Sequence, residues 1–300
     1  MSAAAPERCA WCGAGLTDGD RLRGRIRCAR CGAATTDPWP DAAGLEAAYG
    51  TWYRPDAGAR FHFAGDLLLG RTRGLLASRL DAIAPPGPIL DIGAGEGTLL
   101  DALHSRGREA VGLERDPLRE DFRDQSPDEV EGDGEWAAVV LWHTLEHLPE
   151  PRRAVHEAAR LLRPDGVIAI AVPNTDSVQA RAFGDRWLHL DIPRHLVHLS
   201  TATLCRGLVE EGFRVERISS VRGGQIVIGW VAGLVGALPG GLDLYQAVRK
   251  PSARMAPMSG LRRAASIVAG VVMLPLAVAC SAYEVARRRA GTVYVEARLA

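Results

Sequence analysis

Lysine is almost absent from this sequence, since Lys250 is the only one and arginine supplies nearly all of the positive charge. The 36 basic residues are balanced by 36 acidic residues, so the formal net charge is zero. A neutral chain has no global attraction to nucleic acid, which argues against a binding function that depends on charge alone. The preference for arginine, with abundant alanine and glycine, indicates the codon usage of a GC-rich genome.

The first residues also lack an apolar stretch. The segment MSAAAPERCAWC has none of the hydrophobic core that a signal peptide needs. We therefore expect the catalytic part to be cytoplasmic. With 300 residues, the chain is long enough for one large domain with appendages.

Composition divides the chain into five segments. Strand-like apolar runs alternate with helical patterns from Ile89 to Ser219, and Thr292–Leu299 alternates as one more strand. This alternation predicts an α/β fold in which helices cover both faces of a parallel sheet. The predicted segments are a cysteine-rich ribbon at 1–40, a helical segment at 41–84, a catalytic core at 85–223, a hydrophobic helical hairpin inserted at 224–290 and the final core strand at 291–300.

A glycine-rich turn, ILDIGAGEGTLL, occupies Ile89–Leu100. It joins a short strand containing Asp91 to a helix, and glycines at every second position let the backbone approach a ligand closely. Thr98 stands where a dinucleotide fingerprint needs its third glycine, and the lysine of a phosphate-binding P-loop is missing. Glu114 ends the next strand, about 20 residues on, where a carboxylate binds ribose hydroxyls. The pattern therefore predicts an adenosine ligand without a pyrophosphate.

These features resemble the class I S-adenosylmethionine (SAM)-dependent methyltransferases. The resemblance implies a Rossmann-like seven-stranded sheet with strand order 3-2-1-4-5-7-6, in which the last strand is antiparallel. It also implies that the turn passes the methionine end of SAM and that the carboxylate after the second strand binds the ribose. The residues that occupy these cofactor-binding positions are Asp91, Gly93, Ala94, Gly95, Gly97 and Glu114.

Three later segments, VVLWHTLEHLPEP, RLLRPDGVIAIAVPN and WLHLDIPRHLVHLSTATL, are similar to bacterial methyltransferases related to the ubiquinone-biosynthesis type. This similarity implies that the loop after the fourth strand lines the SAM pocket through His143, Glu146 and His147. The stretch from Glu114 to Trp136 is short for a helix, a third strand and a loop. The family's adenine-contacting acidic residue lies in this stretch, and the sequence leaves it open among Asp121, Asp124, Asp128, Glu131 and Asp133.

Methyl transfer to a hydroxyl needs a base, and histidine is the commonest one because its pKa is near neutrality. Ligands of open α/β sheets sit beyond the carboxyl ends of the strands, and the loop with Asp191, Arg194 and His195 follows the fifth strand and its helix. We expect His195 or His143 to be the general base, and Arg194 or Asp191 to orient the acceptor. The alternative is that these side chains cap helices or pack the loop.

Four of the six cysteines form two pairs, Cys9-x-x-Cys12 and Cys28-x-x-Cys31, each followed by glycine. Two such knuckles, fifteen residues apart, have the spacing of a structural zinc ribbon. In a reducing compartment this arrangement favours metal over disulfides. We therefore predict a structural zinc ion bound by Cys9, Cys12, Cys28 and Cys31, and methyltransferases of the subgroup above often begin with such a ribbon.

The ribbon is rich in arginine, at Arg21, Arg23, Arg25, Arg27 and Arg30. Their alternation indicates one face of a strand pair. Such a face can contact RNA, so an RNA methyltransferase guided by the ribbon is the alternative enzyme. We prefer a solvated or acid-facing surface, because no base-stacking aromatic residues alternate with the arginines. Nucleic acid is therefore not the expected partner.

Two runs without charge, Gln225–Leu242 and Ala264–Tyr283, lie between the sixth and seventh strands. Each approaches the ~20 residues that span a bilayer, and arginines flank the second run, as is typical beside an anionic leaflet. Both ends of the insertion join one sheet, so it starts and finishes on the same side of a membrane. We expect a hairpin within 225–283 to lie in the membrane interface. A helical lid on the core and a dimer interface are the alternatives.

The leading prediction is thus a zinc-ribbon, SAM-dependent methyltransferase at the inner face of the cytoplasmic membrane. Its expected acceptor is a hydroxyl oxygen of a small or lipid-linked molecule. A scaffold that binds SAM without turnover is a further alternative, because the compressed 115–135 stretch departs from the family pattern. The sequence leaves the acceptor, the general base and the oligomeric state open.

Overall fold

The structure, a computed structural model, describes residues 5–50, 63–115, 117, 119–221 and 225–300, without the side chains of residues 63–69. Part of the predicted helical segment at 41–84 therefore lies outside the described residues. The elements in chain order are β1 (Asp20–Leu22), β2 (Arg25–Arg27), β3 (Ala34–Thr36), α1 (Ala42–Ala48), α2 (Phe63–Ile83), β4 (Ile89–Ile92), α3 (Thr98–His104), β5 (Ala110–Leu113), β6 (Phe122–Arg123), β7 (Trp136–Trp142), α4 (Pro151–Leu161), β8 (Leu162–Pro173), α5 (Val178–Phe183), β9 (Val197–His198), α6 (Thr201–Glu210), β10 (Phe213–Ser219), α7 (Ile226–Ala237), α8 (Leu244–Ala247), α9 (Gly260–Ala286) and β11 (Thr292–Leu299).

Seven strands form the large sheet, in the order β10-β11-β8-β7-β4-β5-β6. When only the core strands are numbered, this order is 6-7-5-4-1-2-3. It is the predicted order, 3-2-1-4-5-7-6, read from the other edge, so the predicted sheet is confirmed. β11 runs antiparallel to β10 and β8, whereas the strands from β8 to β6 are mutually parallel. The carboxyl ends of the parallel strands therefore meet at one edge of the sheet, which is where such folds bind ligands.

The central strands are buried on both faces, because helices and the ribbon cover the two sides of the sheet. In β7, Val139 and Leu141 pack toward α4 and α6, whereas Val140 packs toward α2 and α3. Alternation of side chains along a strand requires this division. Trp11 and Ile26 from the cysteine-rich segment belong to the same core as Val139. The ribbon is therefore packed into the core of the protein.

A small antiparallel sheet joins the ribbon to the core. β1, β2 and β3 form a meander, and β3 pairs on its other side with β9, which comes from the loop after α5. Trp11 also lies against α6, where a Cβ on Gly207 would be 2.2 Å from the indole ring. Glycine at position 207 therefore allows the ribbon to dock closely.

The short stretch between β5 and β7 is explained by a shortened crossover. In the described part of residues 114–121 the chain forms no helix, and β6 consists of two residues only. A single 3-10 turn, Pro127–Glu129, follows before β7. The core therefore keeps its third strand, and the described residues between β5 and β6 form no helix.

The insertion leaves the sheet after β10 and returns at β11. Ser219 pairs with Tyr294, and Thr292 pairs with Pro173 at the end of β8, so both ends of the insertion lie at the carboxyl edge. α7 is covered by α5, α9 and the core, whereas much of the α9 surface is exposed. Within the described ranges, α9 is the one helix that is long and apolar enough to cross a membrane, by length and composition. The two uncharged runs therefore differ, because the first forms a helix packed on the core, whereas much of the second faces outward.

A buried carboxylate holds the insertion on the core. Glu284, near the end of α9, accepts hydrogen bonds from Gln179 N (2.8 Å), Gln179 Nε2 (3.0 Å) and Trp230 Nε1 (3.0 Å). Burial raises the pKa of Glu284, and these donors oppose the shift. Gln179 also donates to Ile226 O (2.9 Å) and accepts from Trp187 Nε1 (3.3 Å). One polar cluster therefore joins α5, α7 and α9, and its members satisfy each other.

Gly229→Ala tests this packing. A Cβ at Gly229 would lie 2.3 Å from Gln179 Oε1 and 3.1 Å from His189 Nε2, and Gln179 cannot move without losing hydrogen bonds. We expect the variant to lose about 1–3 kcal/mol of unfolding free energy in urea denaturation. Gly236→Ala is the control, since a Cβ at this α7 position meets no described atom within 4 Å, and its helix propensity should add at most about 1 kcal/mol. Equal stability of the two variants would contradict the close approach of α7.

Candidate active site

The glycine-rich turn follows β4 at the carboxyl edge of the sheet. Gly93, Gly95 and Gly97 have positive φ angles of 78°, 61° and 79°, which favour glycine. A Cβ at Gly93 would lie 2.4 Å from Thr144 Oγ1, so the turn packs closely on the loop after β7. At Gly95 a Cβ would meet no heavy atom of the described residues within 4 Å. The turn is therefore closely packed at Gly93, and at Gly95 it leaves space in which a ligand fits.

Glu114 faces this turn from the end of β5. Its Oε2 accepts a hydrogen bond from Gly95 N (2.6 Å), and its Oε1 accepts one from Arg115 N (3.1 Å). Two backbone donors thus fix the orientation of the carboxylate. A carboxylate held in this way beside the turn matches the vicinal hydroxyls of a ribose.

Asp91 lies in β4 beneath the turn and is 3 % exposed. Burial raises its pKa to about 7, while the charge of Arg73 lowers this pKa and that of Glu114 raises it. Arg73 lies over the ring of Trp142, with its guanidinium carbon 4.8 Å from the centroid. A carboxyl group that titrates near neutrality loses its proton when a cation approaches. Asp91 is therefore suited to a pocket that receives the ammonium group of a methionine moiety.

The structure narrows the candidates for the adenine contact. Three of the five acidic residues bind arginines near the surface, namely Asp121 with Arg119, Asp128 with Arg153 and Asp133 with Arg160. Asp124 directly follows β6, and the preceding residue, Arg123, accepts a hydrogen bond at its carbonyl from Glu114 N (3.1 Å). Asp124 is therefore the candidate that lies beside Glu114 at the carboxyl edge.

The loop after β7 contains a strained histidine. His143 has a φ of 54°, a left-handed conformation that is uncommon for residues other than glycine. Its Nδ1 lies 3.2 Å from Oε1 of Glu146, which is buried in the 3-10 turn Leu145–His147. A hydrogen bond donated by Nδ1 to this carboxylate oxygen leaves Nε2 as the nitrogen that can take up a proton. The pair has the geometry of a base and the carboxylate that orients it.

His147 makes contacts that the sequence analysis did not anticipate. Its Nδ1 lies 2.9 Å from the hydroxyl of Tyr49, at the end of α1, and 3.1 Å from Arg194 O. Burial, and to a smaller extent the neighbouring ring of His195, lower the pKa of His147 to about 4. The guanidinium carbon of Arg115 also lies 5.0 Å from the centre of the Tyr49 ring. No sequence signal links Tyr49 to this pocket, because the contact spans 98 positions.

His195 is buried in the loop before β9. Its Nδ1 donates to His189 O (2.9 Å), which leaves Nε2 unprotonated, 3.7 Å from Asp191 Oδ2. Burial lowers the pKa of His195 to about 3 and that of His189 also to about 3. Arg194 Nη2 binds both carboxylate oxygens of Asp191 at 2.6 Å. The two residues predicted to orient the acceptor are thus bound to each other, beside a histidine that stays neutral.

One group of side chains in these loops has the composition of a metal site. The ligand atoms of Glu146, His147 and His195 lie within 4.8 Å of one another. One carboxylate and two imidazoles are ligands that divalent transition metals accept. The rings of His147 and His195 also meet edge to face, with centroids 4.5 Å apart, so the same contacts pack the two loops together.

The four ribbon cysteines converge between their two knuckles. Cys9 Sγ lies 3.7 Å from Cys31 Sγ, and Cys12 Sγ lies 3.7 Å from Cys28 Sγ. All four sulfur atoms lie within 4.8 Å of one another. With metal–sulfur bonds of about 2.3 Å, a tetrahedron has sulfur–sulfur edges of about 3.8 Å. The cluster therefore fits one tetrahedral metal ion without an open coordination position.

Two ribbon arginines are bound to carboxylates. Arg21 binds Asp37 (3.2 Å), and the largely buried Arg25 approaches Asp185, in the loop after α5, at 3.8 Å. Arg25 therefore helps to dock the ribbon on the core. This use of arginine favours the acid-facing interpretation of the ribbon over an RNA surface.

Comparison with known families adds an independent finding. Residues 68–218, about half of the chain, match the methyltransferase-domain family. The chain belongs to the class I SAM-dependent methyltransferases. It is related to the ubiquinone-biosynthesis type, as predicted from the segments after the fourth and fifth strands.

The curated relatives include ubiquinone biosynthesis O-methyltransferases. The protein from Xanthomonas campestris pv. campestris (strain B100) is 28 % identical over 117 residues, which are 32 % of this chain and 49 % of the relative. The protein from Aeromonas salmonicida (strain A449) is 26 % identical over 161 residues, which are 44 % of this chain and 65 % of the relative. This methyltransferase thus spans between 49 % and 65 % of the length of these relatives.

Solved structures similar to this methyltransferase include two other methyltransferases. Mitomycin 7-O-methyltransferase MmcR has a TM-score of 0.41 and 20 % identity, covering 51 % of this chain and 50 % of its own. The CcbJ methyltransferase from Streptomyces caelestis has a TM-score of 0.46 and 15 % identity, covering 77 % of this chain and 95 % of its own.

Glu114→Gln tests the ribose contact of this methyltransferase. The variant keeps the size of the side chain but loses the negative charge that accepts hydroxyl protons. Because hydrogen bonds to charged groups contribute about 1.5–3 kcal/mol, we expect the Kd for SAM in calorimetry to rise about 10- to 100-fold. The control is Glu109→Gln, which should bind SAM normally, because Glu109 is exposed and precedes β5 at the edge of the sheet opposite to the glycine-rich turn. Normal binding by Glu114→Gln would remove this carboxylate from the cofactor site.

Proposed function

We propose that this methyltransferase transfers the methyl group of SAM to a hydroxyl oxygen of an apolar acceptor presented at an anionic membrane surface. The outward face of α9 is the observation that carries the proposal. The curated relatives are O-methyltransferases of ubiquinone biosynthesis, and this supports oxygen as the acceptor atom. The inner face of the cytoplasmic membrane is the surface on which we expect the enzyme to act.

α9 is more apolar on its outer face than on its inner face. The residues that it buries are small or polar, namely Ser266, Gly270, Ala277, Ser281 and Glu284. Most of its large apolar side chains point outward, and Val268, Val271 and Val272 are between 63 % and 67 % exposed. In water the opposite arrangement is stable, since an amphipathic helix turns its apolar stripe to the core. A long exposed apolar stripe is typical of a surface that contacts a membrane or another protein.

The charges around α9 favour an anionic lipid surface over a protein partner. Arg262 and Arg263 lie at one end of the helix and Arg287–Arg289 follow the other, while its carboxylate, Glu284, is buried. Basic residues near an anionic leaflet contribute about 1 kcal/mol each. α7 has 12 residues, too few to cross a bilayer. We therefore infer that α9 lies in the interface and does not form half of a spanning hairpin.

The α9 surface is connected to the catalytic edge through α7. The start of α7 lies beside His189, since a Cβ at Gly229 would be 3.1 Å from His189 Nε2. At the other end of the insertion, Asn174, directly after β8, donates through N to Gly291 O (2.9 Å) and through Nδ2 to Ala290 O (3.1 Å). A lipid-linked acceptor held at the membrane can therefore extend past α7 toward the loops that carry the histidines.

His143 is the general base that the geometry supports best. When bound, SAM supplies a methyl carbon activated by its sulfonium sulfur, which keeps the electron pair of the broken bond. Asp91, Glu114 and Asp124 bind and orient this cofactor. His143 Nε2 takes the proton of the acceptor hydroxyl as the new carbon–oxygen bond forms. Glu146 orients the ring and stabilises the imidazolium that results.

His195 is less suited to this step, because an effective base has a pKa near the operating pH and burial lowers the pKa of His195 to about 3. We assign it instead to the acceptor loop, defined as residues 184–198, which covers the site from the ribbon side. The Asp191–Arg194 pair stabilises the same loop.

In the ribbon, a four-thiolate tetrahedral cluster favours structural zinc, bound by Cys9, Cys12, Cys28 and Cys31, and this ion adds no step to the reaction.

Val271→Asp combined with Val272→Asp tests the membrane surface. Wild-type protein should co-sediment with phosphatidylglycerol-containing vesicles, bind pure phosphatidylcholine more weakly and dissociate as salt rises. Each substitution removes an apolar contact of about 1.4 kcal/mol or more, so we expect vesicle affinity to fall at least about tenfold for each.

The control is Val209→Asp, at an equally exposed apolar position on α6, which should bind vesicles like the wild type. Absence of wild-type binding to any vesicle would overturn the membrane proposal. So would a wild-type dimer that the paired aspartates dissociate, because a second chain would then cover α9.

His143→Gln tests the base. The acceptor is supplied as an organic extract of membranes from cells that lack the gene, and labelled methyl transfer from SAM into this extract is measured. Loss of general-base catalysis should slow transfer about 10²- to 10⁴-fold, while the Kd for SAM stays within about twofold.

His156→Gln, exposed on α4, is the matched control and should transfer at the wild-type rate. A large rise in the Kd for SAM with His143→Gln would assign this residue to the cofactor pocket instead. Product analysis by NMR that places the label on nitrogen or carbon would contradict an oxygen acceptor.

A further inference from the structure

The last strand of the ribbon is paired with the acceptor loop. β3 and β9 run antiparallel, with Ala34 opposite His198 and Thr35 opposite Val197. The pairing continues beyond these residues, since Thr36 N donates to Leu196 O (3.0 Å). The ribbon thus supplies the backbone partners of the segment that follows His195.

Thr36 extends this pairing with its side chain. Its hydroxyl donates to His195 O (2.6 Å), so its oxygen accepts the hydrogen bond from His198 Nε2 (3.0 Å). Thr36 is fully buried, and His195 and His198 are 7 % and 4 % exposed. Burial holds the pKa of His198 well below its usual range, so the ring stays a neutral donor. One hydroxyl thereby fixes both a backbone carbonyl and a side chain of the acceptor loop.

The opposite side of the same segment is bound to the loop that carries the proposed base. Leu196 N donates to Glu146 O (2.7 Å), and His147 Nδ1 lies 3.1 Å from Arg194 O. Residues 194–196 are therefore held between β3 and the turn after β7. A displacement of β3 would pass through this segment to Glu146, which orients His143.

The cysteine cluster encloses the other end of β3. The second knuckle leads directly into β3. Within this knuckle, Cys28 N donates to Ala33 O (2.8 Å), just before the strand begins. From the first knuckle, Ala10 N donates to Thr35 Oγ1 (3.0 Å). Cys31 O accepts hydrogen bonds from Thr203 and Arg206 of α6. A metal ion that joins the two knuckles therefore fixes β3 on both sides and ties it to the core.

We propose that the ribbon is a brace for the acceptor side of the site, and that Thr36 is the positioning residue through which the metal-bound ribbon holds residues 194–198 in place. The inference rests on the proposed function for the role of this loop. It assigns the ribbon a task within the enzyme, in place of a separate binding surface. Removal of the metal, or of the Thr36 hydroxyl, should loosen the acceptor loop and leave the glycine-rich turn intact.

Hydrogen–deuterium exchange on the intact, zinc-loaded chain tests the role of Thr36 without an acceptor. In Thr36→Val the shape is kept and the hydroxyl is lost, so amides of residues 189–198 should exchange about tenfold faster or more, as expected for a lost buried hydrogen bond. Thr36→Ser should restore wild-type protection. Thr17→Val, an exposed threonine of the ribbon, is the control without effect. All variants should keep one zinc ion per chain and wild-type protection at residues 89–113.

The second arm removes zinc from the wild-type chain with a chelator. Exchange should rise at residues 33–37 and 189–198, while the Kd for SAM stays within about twofold. Unchanged protection of residues 189–198 after metal loss, or failure of Thr36→Ser to rescue, would overturn the proposal. Equal loss of protection at residues 89–113 would also overturn it, because the ribbon would then support the whole fold. None of these results depends on the acceptor, so they are separate from a failure of the methyl-transfer assay.

Discussion

One backbone hydrogen bond, from Leu196 N to Glu146 O at 2.7 Å, joins the loop before β9 to the turn after β7, and the proposed acceptor site depends on both. The turn after β7 is fixed on its other side by the close approach of Thr144 to Gly93. The glycine-rich turn, the turn after β7 and the segment around Leu196 are therefore consecutive layers at one sheet edge. Glu146 and Leu196, which join two of these layers, are buried, so donors and acceptors between them are costly to leave unpaired. A displacement in one layer should therefore affect the next.

The insertion follows a different constraint. Its inner end is fixed by a buried carboxylate, Glu284, whose three hydrogen bonds make α5, α7 and α9 one unit. The outer surface of the insertion is not packed on the described part of the protein in this way, since most of the large apolar residues of α9 face away from it. The inner face of α9 is thus fixed to α5 and α7, and its apolar outer face is exposed. In the proposed function, this attachment keeps a constant distance between the lipid surface and the active site.

Much of the fold could be predicted from the sequence because its signals are local. Strand–helix alternation predicted the α/β fold, the resemblance to the class I methyltransferases implied the sheet order, and two Cys-x-x-Cys knuckles predicted the cysteine cluster. The difference between the two apolar runs could not be predicted from composition, although Gly229 and Gly233 form a small-xxx-small spacing that indicates close helix packing. Tyr49 and Thr36 carried no signal at all, because their partners lie 98 and 159 positions away.

The two candidate bases, His143 and His195, differ in their surroundings in ways that the structure shows and the sequence does not. In the sequence, His143 and His195 are equivalent, since each follows a strand or helix at the expected edge. In the structure, His195 is buried, and this burial lowers its pKa to about 3. His143 stands in a left-handed conformation with its Nδ1 on a buried carboxylate. Backbone strain of this kind is retained where surrounding contacts enforce it, often at functional sites. This strain supports the proposed role of His143 as the base, whereas His195 supplies the backbone carbonyl to which the Thr36 hydroxyl donates.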